Sequence, residues 1–551
     1  MERLPPMPDL QPRPRPLHDL VRADGVNAAL TFCGMLTLYV RTLAPGLVYG
    51  DGAEFQTLSY TLGMTHPTGY PIYLLIGKLF TLLPVRDVAY RINLMSAVFA
   101  ALSVALLYLV GRVLGGRRIA AFLGAVLLGT NWLFWWHAVM AETYAMATAL
   151  LIGILLLVLV WRATDKAWYL FVAGALGGLS IGVHNTVALA APAILVYLLL
   201  TARRRSAWLA ATAGAGLGLA LMLAAFAWVG GVETPASYYN TTLRFSLRSM
   251  GIDPFRSVAD RMWFMLSGRQ YRGRMFSSPQ ATMANLARAY LKYLETSFSV
   301  LGIALAGAGW LSACVRRWRE TVLITMSLAV VLIFVLNYSI KDIYVFFIPT
   351  YVFVALLIGL GVGTLQDGLA SAWQRWAPAR ARAGEVAVRG AGVLCLALAA
   401  ALGAPAILPT VQAGHITMLN RMGPKGIKDG PEDYPYPIRA PEEPERQARA
   451  MVERLDRGAI LVDDWDRLHT YYYVALVEGT RPDLEFMELW DFGSAEAYRP
   501  LFLFLDTRVA RQPVYLSQRL AAYGGLLSTM KAHYRLERAA DGTLWRILPR
   551  E

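Results

Sequence analysis

Charged side chains are scarce in this chain. Asp, Glu, Lys and Arg make up 16% of its 551 residues, where a soluble globular protein carries about 25%. That shortfall, beside 56% hydrophobic residues and a mean hydropathy of +0.43, excludes an ordinary water-soluble fold. Cysteine is scarcer still. Cys33, Cys314 and Cys395 all fall in apolar segments, which excludes a disulfide framework and a cysteine metal site. Residues 1–25 carry repeated proline and lack the apolar core of about 7–15 residues that a cleavable signal peptide needs. They read as a cytoplasmic tail. Internal repeats are absent, and ionisable groups avoid the middles of the apolar runs, which argues against a transporter built from repeated halves.

What is present is a series of apolar blocks. A span needs about 20 such residues, and backbone polar groups in hydrocarbon must pair internally, so these blocks are expected to be helices. Eleven candidates cover 26–44, 89–114, 119–136, 143–161, 167–183, 186–201, 207–229, 296–314, 321–337, 343–363 and 389–408. The fold class expected is an α-helical polytopic membrane protein with about eleven spans and a C-terminal soluble α/β domain. Its parts are a tail over 1–25, a transmembrane domain over 26–410 with outer loops 45–87 and 230–295, and an extracytoplasmic domain over 411–551. The net charge of +14 does not call for nucleic acid, because Arg and Lys gather in alternate short loops (Arg117 and Arg118, Arg162 and Lys166, Arg203 to Arg205, Arg316 and Arg317). The positive-inside rule then puts the N-terminus in the cytoplasm and the C-terminus outside. If the chain is bacterial, its site is the plasma membrane. In the tail, EEPERQARAMVERLDRG reads as helix, and AILVDDWD, LEFMELWD and PVYLS as strand-like or mixed segments.

Polar residues then gather on the outer side. Asp51 and Glu54 follow the first span. His66 lies in THPTGYP, just before Tyr70. His137 and Glu142 flank the third turn, His184 and Asn185 end the fifth span, and Lys341 and Asp342 precede the tenth. Ionisable groups beside hydrocarbon are costly and usually line a cavity. Taken singly, each has a plainer reading. The i, i+3 spacing of Asp51 and Glu54 resembles a capping box, His66 before Pro67 suits a turn, and the others suit helix ends. Their placement on one side favours a site. The run from Tyr70 to Pro84 is too short to span and suits a helix lying in the interface. In the long loop, Arg269, Arg272 and Arg274 can surround phosphate oxygens with forked donors. A solvated cluster is the plainer reading of these three.

The run GDGAEFQ from Gly50, followed by YTLGMTHPTGYPIY ending at Tyr73, resembles a membrane protein family first catalogued as a domain of unknown function. A eukaryotic transmembrane protein O-mannosyltransferase belongs to that family, which looks like a branch of the GT-C glycosyltransferases. Its pattern has Ser-Gly where this chain has Gly52-Ala53, and Pro where this chain has Thr68. The acidic pair, His66, Gly69 and Tyr70 remain. The resemblance extends through 137–144, 182–185 and 338–349. It implies a GT-C-like fold and a transferase moving mannose or another hexose from a polyprenyl-phosphate donor to an acceptor hydroxyl. Inversion is implied, and protein O-mannosylation is one form of the reaction. Asp51 and Glu54 would be catalytic. His66, Tyr70, His137, Glu142, His184, Asn185, the three arginines, Lys341 and Asp342 would bind substrate. Partners would be the lipid-linked donor, a protein or glycolipid acceptor and membrane lipid. No cofactor or metal ligand set is expected, although acids beside histidines leave a divalent ion open. The competing reading is a transporter or flippase of lipid-linked sugars.

Overall fold

The computed structural model describes residues 17–243, 247, 255–277, 279–340, 343–376, 442–488, 499–522, 525–539 and 542–550. The expected eleventh span (389–408) and the pair Lys341–Asp342 lie outside the described residues. The membrane part is helical in the order expected. It begins with α1 (Leu17–Arg41), the short α2 (Asp51–Thr61) and α3 (Pro71–Phe80), then α4 (Val88–Val113), α5 (Arg118–Gly129) and α6 (Trp132–Ala138). It continues with α7 (Thr143–Thr164), α8 (Trp168–Ser180), α9 (Ala191–Thr201) and α10 (Arg205–Gly231), then helices over Gln280–Arg316, Trp318–Leu336 and Ile348–Trp376.

Among the described residues, seven helices are long and apolar enough to cross a bilayer, or eight if α5 and α6 are one span bent by 68°. The expected spans 167–183 and 186–201 correspond to shorter apolar helices, α8 and the stretch Asn185–Thr201. Asn131 causes one break, because its side-chain oxygen accepts from the Leu133 and Phe134 N–H groups and starts a new helix. Another break lies between α8 and α9. There His184 caps a 3₁₀ turn over Asn185–Ala190, and the two helices have 13 and 11 residues, about 20 and 16 Å. The long outer loop expected over 230–295 carries secondary structure in its described residues. It holds a helix over Val258–Leu266, a 3₁₀ turn over Arg269–Arg274 and the start of the Gln280–Arg316 helix.

Helix pairs close up where small residues face each other. A Cβ on Gly214 would stand 1.9 Å from the Phe171 carbonyl oxygen, and one on Gly218 would stand 2.1 Å from that of Ala175. This small-xxx-small stripe packs α10 against α8. The 10-residue α3 spans about 15 Å, too little to cross. It buries Tyr73, Leu74 and Gly77 and leaves Leu79 exposed, the two-sided build of a helix lying in an interface.

The C-terminal part is a small α/β unit. Strands β1 (Ile460–Asp463), β2 (Glu485–Glu488), β3 (Val514–Ser517), β4 (Arg535–Arg538) and β5 (Leu544–Leu548) form one sheet in the order β2-β1-β3-β5-β4. The first three are mutually parallel, β5 runs antiparallel to β3, and β4 runs antiparallel to β5. The helix Trp465–Tyr472 leaves the carboxyl end of β1. This unit sits against the membrane part. Gly50 N–H donates to the Asp466 carbonyl at 2.9 Å, Thr57 Oγ1 to the His469 carbonyl at 3.1 Å, and Ala89 N–H to the Tyr473 hydroxyl at 3.0 Å. One apolar core runs from the bundle into Ala448, Val452, Leu468 and Tyr472.

Candidate active site

Helix α2 begins at Asp51 because Gly50 turns the chain with φ 62° and ψ −139°, a conformation that suits glycine. Gly50 is the N-cap, and no side chain caps the helix, so the capping-box reading of Asp51 and Glu54 does not hold. Glu54 instead points inward and is 0% exposed. It accepts from the His66 backbone N–H at 2.7 Å and from His66 Nδ1 at 2.5 Å. Asp51, 37% exposed, presents Oδ2 at 3.6 Å from His66 Nε2. One imidazole thus stands between two carboxylates, one sealed and one open.

Burial alone would lower the His66 pKa. The Glu54 and Asp51 carboxylates overcome that and raise it from 6.5 to about 10, so His66 is an imidazolium at neutral pH. Burial pushes the Glu54 carboxyl up and the His66 charge opposes the push. The two opposite charges stabilise one another across the Nδ1–H contact that Glu54 Oε2 accepts. Gln56 fixes the helix carrying both acids: its Nε2 donates to Asn93 Oδ1 at 2.9 Å and to the Gly46 carbonyl at 3.2 Å.

The His66 loop turns through Gly69 (φ 90°), where a Cβ would meet the Phe226 ring at 2.9 Å. Tyr70 follows, its hydroxyl 3.3 Å from His66 Nε2 and donating to the Pro67 carbonyl at 3.2 Å. Its ring stacks on His184 (centroids 5.9 Å, 16°). Tyr144 stands between His184 at 5.1 Å and His137 at 4.9 Å. The three histidines expected at the boundary are thereby joined through two tyrosines into one wall. His137 Nδ1 donates to the Leu133 carbonyl at 2.8 Å, and His184 Nδ1 lies 2.8 Å from Thr186 Oγ1. Glu142 adds negative potential at His66. Asn185 Oδ1 is buried without a hydrogen-bond partner, an acceptor that a bound hydroxyl could satisfy.

Arg269, Arg272 and Arg274 are exposed, with the Arg274 guanidinium 5.9 Å above the Tyr271 ring. Their segment is pinned to the loop before Lys341: Phe276 N–H donates to the Asn337 carbonyl at 2.6 Å and Ser339 N–H to that of Arg274 at 3.0 Å. Its link to the acids runs through neutral neighbours. Gln270 Nε2 donates to the Tyr238 hydroxyl at 2.8 Å, and the Tyr238 ring lies edge-on to His66 at 6.5 Å.

Sequence reasoning missed the contribution of the C-terminal unit. Trp465 Nε1–H donates to Asp51 Oδ1 at 2.7 Å, and its ring meets His66 edge-on at 5.6 Å. His469, fully buried, lies with Nε2 3.9 Å from Glu54 Oε1. Burial, then the His66 charge, hold its pKa at about 3, so it is neutral. Glu488, at the end of β2, accepts from Thr242 Oγ1 at 2.9 Å, and burial pushes it up to about 8. The signal available was Asp-Asp-Trp-Asp after an apolar strand, since ligand sites gather at the carboxyl ends of parallel strands. Among the described residues, no group of three or more His, Cys, Asp or Glu is placed to hold a metal ion.

Residues 51–208 match a family model described as the Protein O-mannosyl-transferase TMEM260 N-terminal domain. Protein O-mannosyl-transferase TMEM260 of Mus musculus is 31% identical over 131 residues, 24% of this chain and 18% of that protein. The Dictyostelium discoideum protein of that name is 24% identical over 135 residues, 24% of this chain and 16% of its own length. The matched stretch thus spans less than a fifth of either relative. Among solved structures, ArnT from Cupriavidus metallidurans bound to undecaprenyl phosphate aligns with a TM-score of 0.55 at 14% identity, covering 95% of this chain and 98% of that one. Its apo state gives 0.54 over the same shares. The resemblance carried by the Gly50–Tyr73 run is borne out: the chain has a GT-C type membrane fold and is similar, over residues 51–208, to the O-mannosyltransferase-like TMEM260 family.

Proposed function

We propose that this protein is a glycosyltransferase that moves a hexose from a polyprenyl-phosphate donor to an acceptor hydroxyl on the outer face of the membrane. The observation that carries this reading is Asp51, a part-exposed carboxylate on the first non-spanning helix, beside an imidazolium that Glu54 locks in place. Two findings support it. ArnT, of similar fold, has been solved bound to undecaprenyl phosphate, and the family model matched from Asp51 onward is described as a protein O-mannosyl-transferase domain, the name the curated relatives also carry. A protein hydroxyl is accordingly the favoured acceptor.

In this mechanism the acceptor oxygen attacks the anomeric carbon from the face opposite the phosphate, and the C–O bond to phosphate breaks with its electron pair. The acceptor proton passes to Asp51, general-base catalysis worth about 10²–10⁴-fold, and the anomeric centre inverts. Glu54 is too deeply buried to reach an acceptor. It holds His66, whose positive charge keeps the electron-rich carboxylate of Asp51 in position. Arg269, Arg272 and Arg274 face the leaving phosphate, where charge develops. Tyr70, His137, Glu142, His184 and Asn185 shape the sugar and acceptor pocket, and Lys341 and Asp342 are assigned to substrate binding. Residues 1–25 lie in the cytoplasm, 26–410 form the membrane catalytic part, and 411–551 stand outside.

The test is purified full-length protein in liposomes with a polyprenyl-phosphate hexose and a hydroxyl-bearing peptide. Free polyprenyl phosphate and glycosylated peptide should appear together and in equal amounts. Movement of intact donor across the bilayer without cleavage would instead make the protein a flippase.

A further inference from the structure

The C-terminal sheet unit places an aromatic side chain in the acidic site, and nothing in the resemblance accounts for it. The helix Trp465–Tyr472 leaves β1 pointing at α2. It is fastened there from two sides, by Gly50 N–H on the Asp466 carbonyl and by Thr57 Oγ1 on the His469 carbonyl. At the start of the helix, next to the first anchor, the Trp465 indole N–H meets Asp51 Oδ1 at 2.7 Å. Its ring is packed edge-on against His66 at 5.6 Å, Tyr238 at 5.6 Å and His469 at 5.0 Å. An indole N–H only donates. A carboxylate free to rotate offers its two oxygens equally, whereas one whose Oδ1 is held by a fixed donor presents Oδ2 in a set direction. That Oδ2 lies 3.6 Å from His66 Nε2, too far for a normal hydrogen bond, which leaves it a lone pair for an incoming proton.

We propose that Trp465 is a positioning residue for transfer: its indole N–H fixes Asp51 Oδ1 so that Oδ2 faces the acceptor, and the C-terminal unit is thereby part of the active site. This rests on the reading of Asp51 as the base. It also gives the unit a reason to be fastened to α2 rather than tethered loosely. A base held by a neighbouring domain acts only while that domain is docked.

The experiment uses the full-length protein in liposomes with a polyprenyl-phosphate hexose and an acceptor peptide. Two replacements are made at position 465: Trp465→Phe, and the benzothienyl isostere of tryptophan, which keeps the bicyclic ring and lacks the N–H. Loss of a hydrogen bond to a charged group should lower kcat about 10- to 100-fold, with the KM values for donor and acceptor within about twofold of wild type. The isostere keeps the packing, so it reads the N–H alone even where Trp465→Phe folds poorly. Tyr473→Phe removes another bond between the unit and the bundle, at the Ala89 N–H, and should leave kcat unchanged. In an Asp51→Asn background, the isostere should cost little further, because the two groups act as one. Wild-type kcat in the isostere, with Asp51→Asn strongly impaired, would overturn the role of Trp465 and leave Asp51 standing. Wild-type activity in Asp51→Asn would overturn the reading beneath it. A matching kcat loss in Tyr473→Phe would make the effect one of docking and would equally overturn the proposal.

Discussion

Replacing Glu54 by Gln should change how the stability of this protein depends on pH. The folded state raises the His66 pKa from 6.5 to about 10, through Glu54 at 2.5 Å and Asp51 at 3.6 Å. A raised histidine contributes stability that is fully present below pH 6.5 and lost as pH climbs through about 10. At about 1.36 kcal/mol per unit, the linked contribution is about 5 kcal/mol below pH 6.5, and about 3 kcal/mol remains near pH 7.5. Glu54→Gln keeps an acceptor for the His66 backbone N–H and removes the closer charge. Asp51, further away and part-exposed, replaces little of it. The variant should therefore melt well below wild type at pH 6.5 and approach it by pH 9.5. Thermal unfolding in detergent across that range is the assay. Parallel wild-type and variant curves would refute the ion-pair description of His66.

Glu488 gives the same sign of pH dependence over a lower window, but its replacement should stabilise. Its pKa is raised to about 8, so the folded state holds a proton that the unfolded chain releases above about pH 4.5, and stability falls as pH rises toward 8. Glu488→Gln keeps a partner for Thr242 and should raise the melting temperature at pH 8 while changing little at pH 5. If the arginine turn clasps the leaving phosphate, the double replacement of Arg269 and Arg272 by Ala should raise the KM for the lipid donor more than that for the acceptor. Kinetics with a defined donor check this, and an unchanged donor KM would return both to plain surface residues. Single cysteines at positions 204 and 272, with Cys33, Cys314 and Cys395 replaced, should divide into protected and labelled classes with an impermeant thiol reagent on intact cells. Labelling at 204 would reverse the assigned orientation.

The spans were legible because hydrocarbon imposes long apolar runs, and most of the expected segments coincide with helices. What apolar content could not convey is where a run breaks. The Asn131 cap is a single-residue event inside the apolar run 119–136, whereas the turn at His184 falls where the fifth expected span ends. The grouping of His66, His137 and His184 was legible from their common side of the bundle, and the two tyrosines joining them lie in the same motifs. The direction of Glu54 was not. Spacing i, i+3 fits a cap as well as it fits a buried partner for a loop twelve residues on, and only the fold decides between them. Trp465 and His469 were hidden for a different reason. They approach α2 from more than 400 residues away along the chain, and no local pattern reports a contact of that range.

The central claim is that Asp51 takes the acceptor proton during sugar transfer. Asp51→Asn keeps the size of the side chain and an oxygen that the Trp465 N–H can reach, so the site should stay assembled. The most direct measurement is the rate at which purified Asp51→Asn protein in liposomes releases free polyprenyl phosphate from a polyprenyl-phosphate hexose in the presence of acceptor. The account gives a loss of about 10²–10⁴-fold with donor binding retained. Release at the wild-type rate from a normally folded variant would contradict it.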